Sequence, residues 1–479
     1  MPASAPISPS TPATAQAPEA LVALAAAAGP GNSSTDADEL APHLIDWRRK
    51  HQGRSALLLM PRTTAQVQAI VRTAAAHGVP LVPQGGNTGL VGGGIPSADG
   101  SGVLLSLKRM AAIRSIDPAG LTMVVEAGAI LQTVHEAAAD HGLAFPLSLA
   151  ARGSATIGGL VSTNAGGVQV LRHGTMRALV AGLQAVLPDG ELLDQLAGLP
   201  KDNRGYDLKQ LLIGAEGTLG IVTAVTLKLV PAPAHRAVAW AGLASPQAAL
   251  ALLARLRAAS AGQVESFELV PGSGLALVLK HIPGQRAPLA DAHDWHALIE
   301  LAGPATLQQV LAESLGAALE DGLIADATLA ESGAQVEALW SLRENLPPAE
   351  RLDGPAVHHD ISVPVARLPD FCLAATAEVE SRIPGSRVIA FGHLGDGNLH
   401  FNVRAPAGGS WDPDQAAAIT RLVHDLVTAA GGSISAEHGI GTLKRADLAR
   451  LLPPAHLAAM RAIKAALDPL GIMNPGKIL

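Results

Sequence analysis

The chain has 479 residues, 48% apolar and 16% charged, with a formal net charge of -7. That composition fits a soluble globular protein of two or three domains and excludes disorder as the dominant state. No Lys/Arg run is longer than Arg48 to Lys50, so neither nucleic acid nor an anionic membrane is an expected partner. The single cysteine, Cys372, excludes an internal disulfide and a thiolate-rich metal centre. It points to a reducing compartment, with His and carboxylate ligands if a metal is bound.

In chain order, residues 1–40 read as a short flexible tail followed by a helix over residues 19–28, ended by Gly29-Pro30-Gly31. This region carries neither Lys nor Arg. It therefore lacks the basic start of a signal peptide and the Arg-rich character of a transit peptide, and a cytoplasmic location is expected. No apolar run approaches the roughly 20 residues of a membrane span, so no integral membrane segment is expected. From Pro61 a helical pattern gives way to the apolar run Val79 to Gln84, further strands near residues 102–107 and 122–130, and a second helical pattern from Leu131. That alternation argues for an α+β or α/β arrangement. His77-Gly78 and His141-Gly142 read as helix ends. Leu183 to Leu193 reads as a strand pair around Pro188-Asp189-Gly190, and the strand after Glu216 closes this half at Pro231. Residues 232–432 mix Ala/Leu-rich helices with strands and form a second domain. Residues 433–479 return to a helical pattern that ends on Asn474-Pro475-Gly476-Lys477.

Three stretches carry candidate chemistry. The loop Gly85 to Gly94 follows an apolar strand and has six glycines, which free the backbone to turn successive N–H groups onto an anion. It matches neither the dinucleotide fingerprint nor the P-loop, and a flexible surface loop is the alternative. The second stretch, Ser386 to Ala405, reads as a hairpin: a strand to about Phe391, a Gly-Asp-Gly turn, and a return from about Asn398. Period-two alternation puts Asn398, His400 and Asn402 on one face and Leu399, Phe401 and Val403 on the other. His393 and His400 could meet across the turn and hold a divalent ion, with Glu437 as third ligand; a polar turn braced by Asp396 is the other reading. The third stretch, Ser433 to Arg445, reads as a strand end entering a glycine-rich loop. Adjacent side chains point opposite ways there, so Glu437 could ligate while His438 faces a substrate. Arg343 falls on the apolar face of the helix Gln335 to Glu344, where an arginine is either buried with an anion or reaching past the helix end.

These motifs resemble a known family. Val82 to Gly93, Phe145 to Gly167, Ile213 to Thr223 and Asn474 to Lys477 are similar, in that order, to the flavin-wrapping segments of vanillyl-alcohol-oxidase-type flavoproteins. His393 to His400 and Glu437 to Gly441 resemble the motifs of the FAD-dependent D-2-hydroxy acid dehydrogenases, of D-2-hydroxyglutarate and D-lactate type. The resemblance implies an α+β fold: a two-subdomain FAD-binding domain over 41–231, an α+β substrate or cap domain over 232–432, and a C-terminal segment over 433–479 that returns to the flavin domain and completes the active site. It implies FAD contacts at Pro83, Gly85, Gly86, Asn87, Thr88, Gly89, Leu90, Gly92, Gly153, Ser154, Gly158, Asn164, Gly166, Gly167, Glu216, Gly217, Ile221 and Asn474. The loop Pro83 to Pro96 contains no His or Cys, so the FAD is expected to be non-covalent.

The same resemblance implies zinc ligands at His393, His400 and Glu437, a general base at His438, and substrate contacts at Arg343 and Asn402. The family's usual lysine is replaced by His358, and a threonine one turn after the arginine by Pro347. A neutral or Asp360-paired His358 is therefore expected in the pocket, and a D-2-hydroxy monocarboxylate becomes as plausible as a dicarboxylate. The expected reaction is oxidation of a D-2-hydroxy acid to the 2-oxo acid by hydride transfer to flavin N5. Electrons would pass to a non-NAD acceptor: an electron-transfer flavoprotein, a quinone or a cytochrome. Alternatives are an oxidase, a glycolate-oxidising subunit, or a flavin protein without catalysis. A homodimer is the candidate assembly.

Overall fold

The computed structural model describes residues 16–479; the expected N-terminal tail falls largely outside them. Helix α1 (Pro18–Ala28) buries Ala20, Leu24 and Ala28. It packs on α2 (Thr64–His77), which opens on a capping box formed by Thr63 and Gln66 and ends at Gly78 in the left-handed region, as its sequence predicts. The strands β1 (Leu81–Gln84) and β2 (Val103–Ser106) run parallel. They form a four-stranded sheet with Leu58–Leu59 and Ser33–Ser34. A second sheet holds five strands: β3 (Ile113–Asp117), β4 (Thr122–Glu126), β5 (Val180–Val186), β6 (Leu192–Gln195) and β7 (Ile221–Lys228), in the order β3-β4-β7-β5-β6. Helices α3 (Leu131–Ala139) and α4 (Ile157–Ser162) share its core.

The remaining chain builds one seven-stranded antiparallel sheet. Its strands are β8 (His235–Leu243), β9 (Val264–Pro271), β10 (Trp295–Gly303), β11 (Asp326–Leu329), β12 (Ala356–Ser362), β13 (Arg387–His393) and β14 (Asn398–Arg404), in the order β11-β8-β10-β9-β13-β14-β12. Both faces are covered, which is why strands such as Val264–Pro271 are buried at every position. One face packs α5 (Pro246–Ala259), α6 (Leu307–Glu320) and α7 (Leu368–Arg382); the other packs α8 (Gly333–Glu344) and α9 (Leu346–Asp353). β9 and β13 pair only at Glu268 with His393 and Leu269 with Gly392. The central seam of the sheet is therefore short, and it lies where the functional side chains gather.

After β14 the chain returns to the first sheets. Leu81 bridges Met473, and the Asn474 N–H donates to the Leu81 carbonyl at 2.9 Å. The segment Ser433 to Gly441 departs from expectation. It carries no strand beyond a single bridge between Ser433 and Ser362; the N–H groups of Glu437, His438, Ile440 and Gly441 are taken by side-chain carboxylates instead of a neighbouring strand.

Candidate active site

A cavity of about 360 Å³ opens between the glycine loop, α4 and the start of β7. Among the described residues, none of the backbone N–H groups from Gly85 to Gly94 has a protein acceptor. Such a run of free donors facing a cavity suits a diphosphate. The walls approach so closely that side chains are excluded: a Cβ on Gly86 would lie 2.0 Å from the Ser154 carbonyl oxygen, and one on Gly217 would lie 2.4 Å from Pro83. The Thr156 hydroxyl, on the cavity wall, is buried without a partner. These features fit a flavin dinucleotide, and no lysine or arginine lines the cavity, so its phosphates would be met by backbone dipoles.

Of the expected cofactor contacts, Pro83, Gly85 to Leu90, Gly92, Gly158, Gly166, Glu216, Gly217 and Ile221 line this cavity. Gly153, Ser154, Asn164, Gly167 and Asn474 do not. The Asn164 side-chain oxygen Oδ1 accepts the Thr175 hydroxyl and the Arg177 backbone N–H. Gly167 is small because Ser148 crosses it, and the Ser154 carbonyl packs beneath Gly86. Asn474 lies behind the wall and donates Nδ2 to the carbonyls of Gly93 and Glu216. Glu216 itself works as a latch. Its carboxylate accepts the N–H groups of Ile440 and Gly441 at 2.7 and 2.8 Å, and burial holds its pKa above the ordinary value.

At the edge of the cavity the hairpin β13–β14 forms as expected. Leu399, Phe401 and Val403 enter the core while Asn398 and Asn402 face a buried polar pocket. The Asp396 carboxylate braces its own turn by accepting the Asn398 N–H at 3.0 Å. This does not exclude ligation by the histidines. His393, His400 and Glu437 each place a donor atom within 4.8 Å of the others, and Glu437 Oε1 is buried without a hydrogen-bond partner, 3.7 Å from His393 Nε2. Two imidazoles and a carboxylate are a donor set that fits a divalent ion such as zinc.

The sequence reading missed Glu268. On β9, fully buried, it accepts from His393 Nδ1 at 2.5 Å and from Arg343 Nε at 2.7 Å. A carboxylate in this place would fix the tautomer of His393 and leave Nε2 as the nitrogen available to an ion. Against the lowering effect of burial, Glu268 raises the His393 imidazole to about 9; the centre of the cluster favours positive charge. His400 is lowered to about 3, chiefly by burial, and offers a lone pair. Burial and the nearby carboxylates raise Glu437.

The remaining candidates are placed by similar pairings. Asp360 Oδ2 accepts both the Glu437 and His438 N–H groups at 2.8 and 2.9 Å, and lies 3.7 Å from His438 Nδ1. The peptide is thereby oriented with both side chains on the cavity. His438 is lowered to about 4, by burial first. Arg343 is 7% exposed and lies over the Phe391 ring at 4.7 Å, so the buried-with-an-anion reading holds. Its anion is Glu268, and its Nη groups have no partner among the described residues. Asn402 gives Nδ2 to Glu350, a second residue the sequence did not flag, at 2.7 Å. His358 is not paired with Asp360. It sits opposite Asn402 in the strand register, with part of its surface open to solvent, and the crowding of protein around its ring, followed by the charge of Arg48, lowers it to about 4.

The chain matches two family models, an FAD binding domain over residues 55–195 and the C-terminal domain of FAD linked oxidases over residues 232–478. It is 40% identical over 456 residues to the mitochondrial D-2-hydroxyglutarate dehydrogenase of Bos taurus, covering 94% of this chain and 81% of that protein. The chain belongs to the FAD-dependent D-2-hydroxy acid dehydrogenase family. A D-2-hydroxyglutarate dehydrogenase of Xanthomonas citri pv. viticola is 38% identical, with 93% of each chain covered. The fold is that of p-cresol methylhydroxylase, with a TM-score of 0.74 at 16% identity and 96% of each chain covered, which makes it the vanillyl-alcohol-oxidase-type α+β fold. The cytoplasmic expectation is overturned by the relatives, of which the bovine protein and several others are named as mitochondrial. A lack of basic residues near the start was too weak a signal to carry a location. No helix among the described residues is long and apolar enough to cross a membrane.

Proposed function

We propose that this family member oxidises a D-2-hydroxy acid to the 2-oxo acid, with His438 accepting the hydroxyl proton. The carrying observation is convergence: Glu437 and His438 both line the glycine-walled cavity while Glu437 also completes the His393/His400 cluster. FAD, when bound in that cavity, would supply the hydride acceptor, with a final electron acceptor other than NAD. A divalent ion, zinc by the chemistry of the donor set, would be held by His393, His400 and Glu437 and would make a coordinated hydroxyl more acidic.

The protein's own groups do the rest. Asp360 holds the Glu437–His438 peptide by two hydrogen bonds and lies on the Nδ1 side of His438, which leaves Nε2 to take the proton. Arg343, with Nε held by Glu268, keeps its Nη groups for the substrate's 1-carboxylate. Glu350 turns the Asn402 nitrogen away, so that Asn402 offers its carbonyl oxygen to the pocket.

The test is anaerobic flavin bleaching by a panel of D- and L-2-hydroxy acids. Bleaching by at least one D-acid and not by its L-enantiomer is expected, and flavin that stays oxidised with every D-acid refutes the reading. His438→Ala should keep its FAD and lose about 10²–10⁴-fold in the rate of flavin reduction. Peroxide formed in air at the rate of oxo acid would identify an oxidase instead.

A further inference from the structure

The strands β9 and β13 stop pairing after Leu269 and Gly392. The next ladder position on β9 falls to Pro271, which has no N–H to give, and the chain turns there into the helix Gly272–His281. Across the gap, the Val388 N–H donates to the Glu380 carboxylate of α7 at 2.8 Å. A helix side chain thus takes the place of the missing strand.

Where the strands part lies a second cavity, of about 670 Å³, within the roughly 300–1,000 Å³ of small-molecule sites. Leu275 and Leu279 of the helix Gly272–His281 line one side, Leu373 and Ala377 of α7 the other, and Val388 and Ala390 lie between. The two helices pack on opposite faces of the sheet, so the cavity runs through the opened seam. It shares no lining residue with the flavin cavity.

One wall carries a polar group with nothing to bond. His296, on β10, lines the cavity and is 3% exposed; among the described residues its side chain makes no hydrogen bond, and its Nδ1 is buried. The neighbouring rings give it no partner. Trp240, with centroids 5.7 Å apart, has its own Nε1 buried without an acceptor, and His293, 5.8 Å away and edge-on, has Nε2 buried and unpartnered as well. His293 is wedged in place: a Cβ on Gly242 would lie 2.3 Å from its ring, and one on Gly272 would lie 2.2 Å from its carbonyl oxygen. Buried polar groups ordinarily find partners, and the cavity is the place where His296 meets one.

The lining also sets the charge of an occupant. No lysine or arginine lines the cavity, and its carboxylates are Glu380, engaged by Val388, and the exposed Asp291 and Asp294. An anion would meet no counter-charge. Burial, and after it His293, lowers the His296 imidazole to about 4, so at neutral pH it offers one N–H and one lone pair and no charge. A charged group beside it would be desolvated without compensation.

We propose that this cavity is a second binding site, for an uncharged, largely apolar molecule whose polar group, a phenol or a ketone, hydrogen-bonds to His296. The site stands apart from the D-2-hydroxy acid reading and does not depend on it.

The experiment titrates 1-naphthol, uncharged at pH 7, and 1-naphthoate, an anion of the same ring, into FAD-loaded holoenzyme by calorimetry. Wild type is compared with Ala377→Trp, which fills the cavity from an exposed helix position, and with His296→Leu; thermal melts check that each variant is folded. Saturable 1-naphthol binding is expected in wild type, lost in Ala377→Trp and weakened roughly 3-fold to 10-fold in His296→Leu, as for one neutral hydrogen bond. 1-Naphthoate should show no binding that Ala377→Trp removes. No saturable 1-naphthol binding, or binding that survives Ala377→Trp unchanged, overturns the site. Equal affinity in His296→Leu overturns the role of the imidazole, and 1-naphthoate bound there as tightly as 1-naphthol overturns the uncharged class.

Discussion

Replacing Glu268 with glutamine tests whether the ion cluster and Arg343 depend on one buried carboxylate. Glu268 is fully buried and accepts from His393 Nδ1, Arg343 Nε and the Ser266 hydroxyl. Glutamine keeps the shape but has one acceptor oxygen, so a buried donor must face the new amide nitrogen, and the Arg343 charge loses its counter-ion. Breaking a buried pair on one side costs about 3–5 kcal/mol. At the lower end, for a domain near 200 residues, that lowers Tm by about 6–12 °C. Removing the group that orients a ligating imidazole should also weaken divalent-ion binding about 10-fold to 100-fold. Thermal melts and zinc titration of the dialysed protein measure the two effects separately. A variant that melts within 2 °C of wild type, as an order-of-magnitude bound, and binds zinc equally well would show that Glu268 neither balances Arg343 nor orients His393.

Three further outcomes follow from other parts of the site. Gly86→Ala puts a methyl group 2.0 Å from the Ser154 carbonyl oxygen and should yield folded protein with little FAD; full flavin content after gel filtration would refute the cradle. Dialysis against EDTA should reduce activity and zinc or manganese should restore it, whereas full activity with no divalent ion detected by metal analysis removes the ligand assignment. Burial raises Glu350 to about 7, so the native state holds a proton there that the unfolded chain releases near 4.5. Its contribution to stability must fall as pH rises from about 5 to 7 and level off above. Glu350→Gln should show no such decline, and denaturant melts of both proteins that run parallel across that window contradict the shift.

What could be read from the sequence was local. The hairpin Arg387 to Arg404 was legible because side chains on a strand alternate, so the polar face Asn398, His400, Asn402 declared itself within seven residues. The glycine loop was legible because glycine marks backbone that must turn or come close. Glu268 was not, since its partners lie 75 and 125 residues away. Its one local signal was a carboxylate inside the apolar run Val264 to Pro271. Glu350 hides in the same way, with Asn402 52 residues on. Ser433 to Gly441 reads as extended because nothing in its own residues says that distant carboxylates hold it.

Those carboxylates explain how one loop serves two domains. Asp360, from the seven-stranded sheet, accepts the N–H groups of residues 437 and 438. Glu216, from the flavin-cavity wall, accepts those of residues 440 and 441. Gly439 lies between the two clamps at a φ of 83°, where a Cβ would come within 2.7 Å of the Glu216 carboxylate. The loop is thus fixed from both sides across a single glycine. Backbone fixed by buried charge-assisted hydrogen bonds moves little, so Glu437 and His438 keep their places relative to both the cavity and the ion cluster. On the mechanism proposed above, hydride and proton would leave neighbouring atoms of a 2-hydroxy acid for groups held by different domains, and a loop fixed from both sides would keep those groups in register.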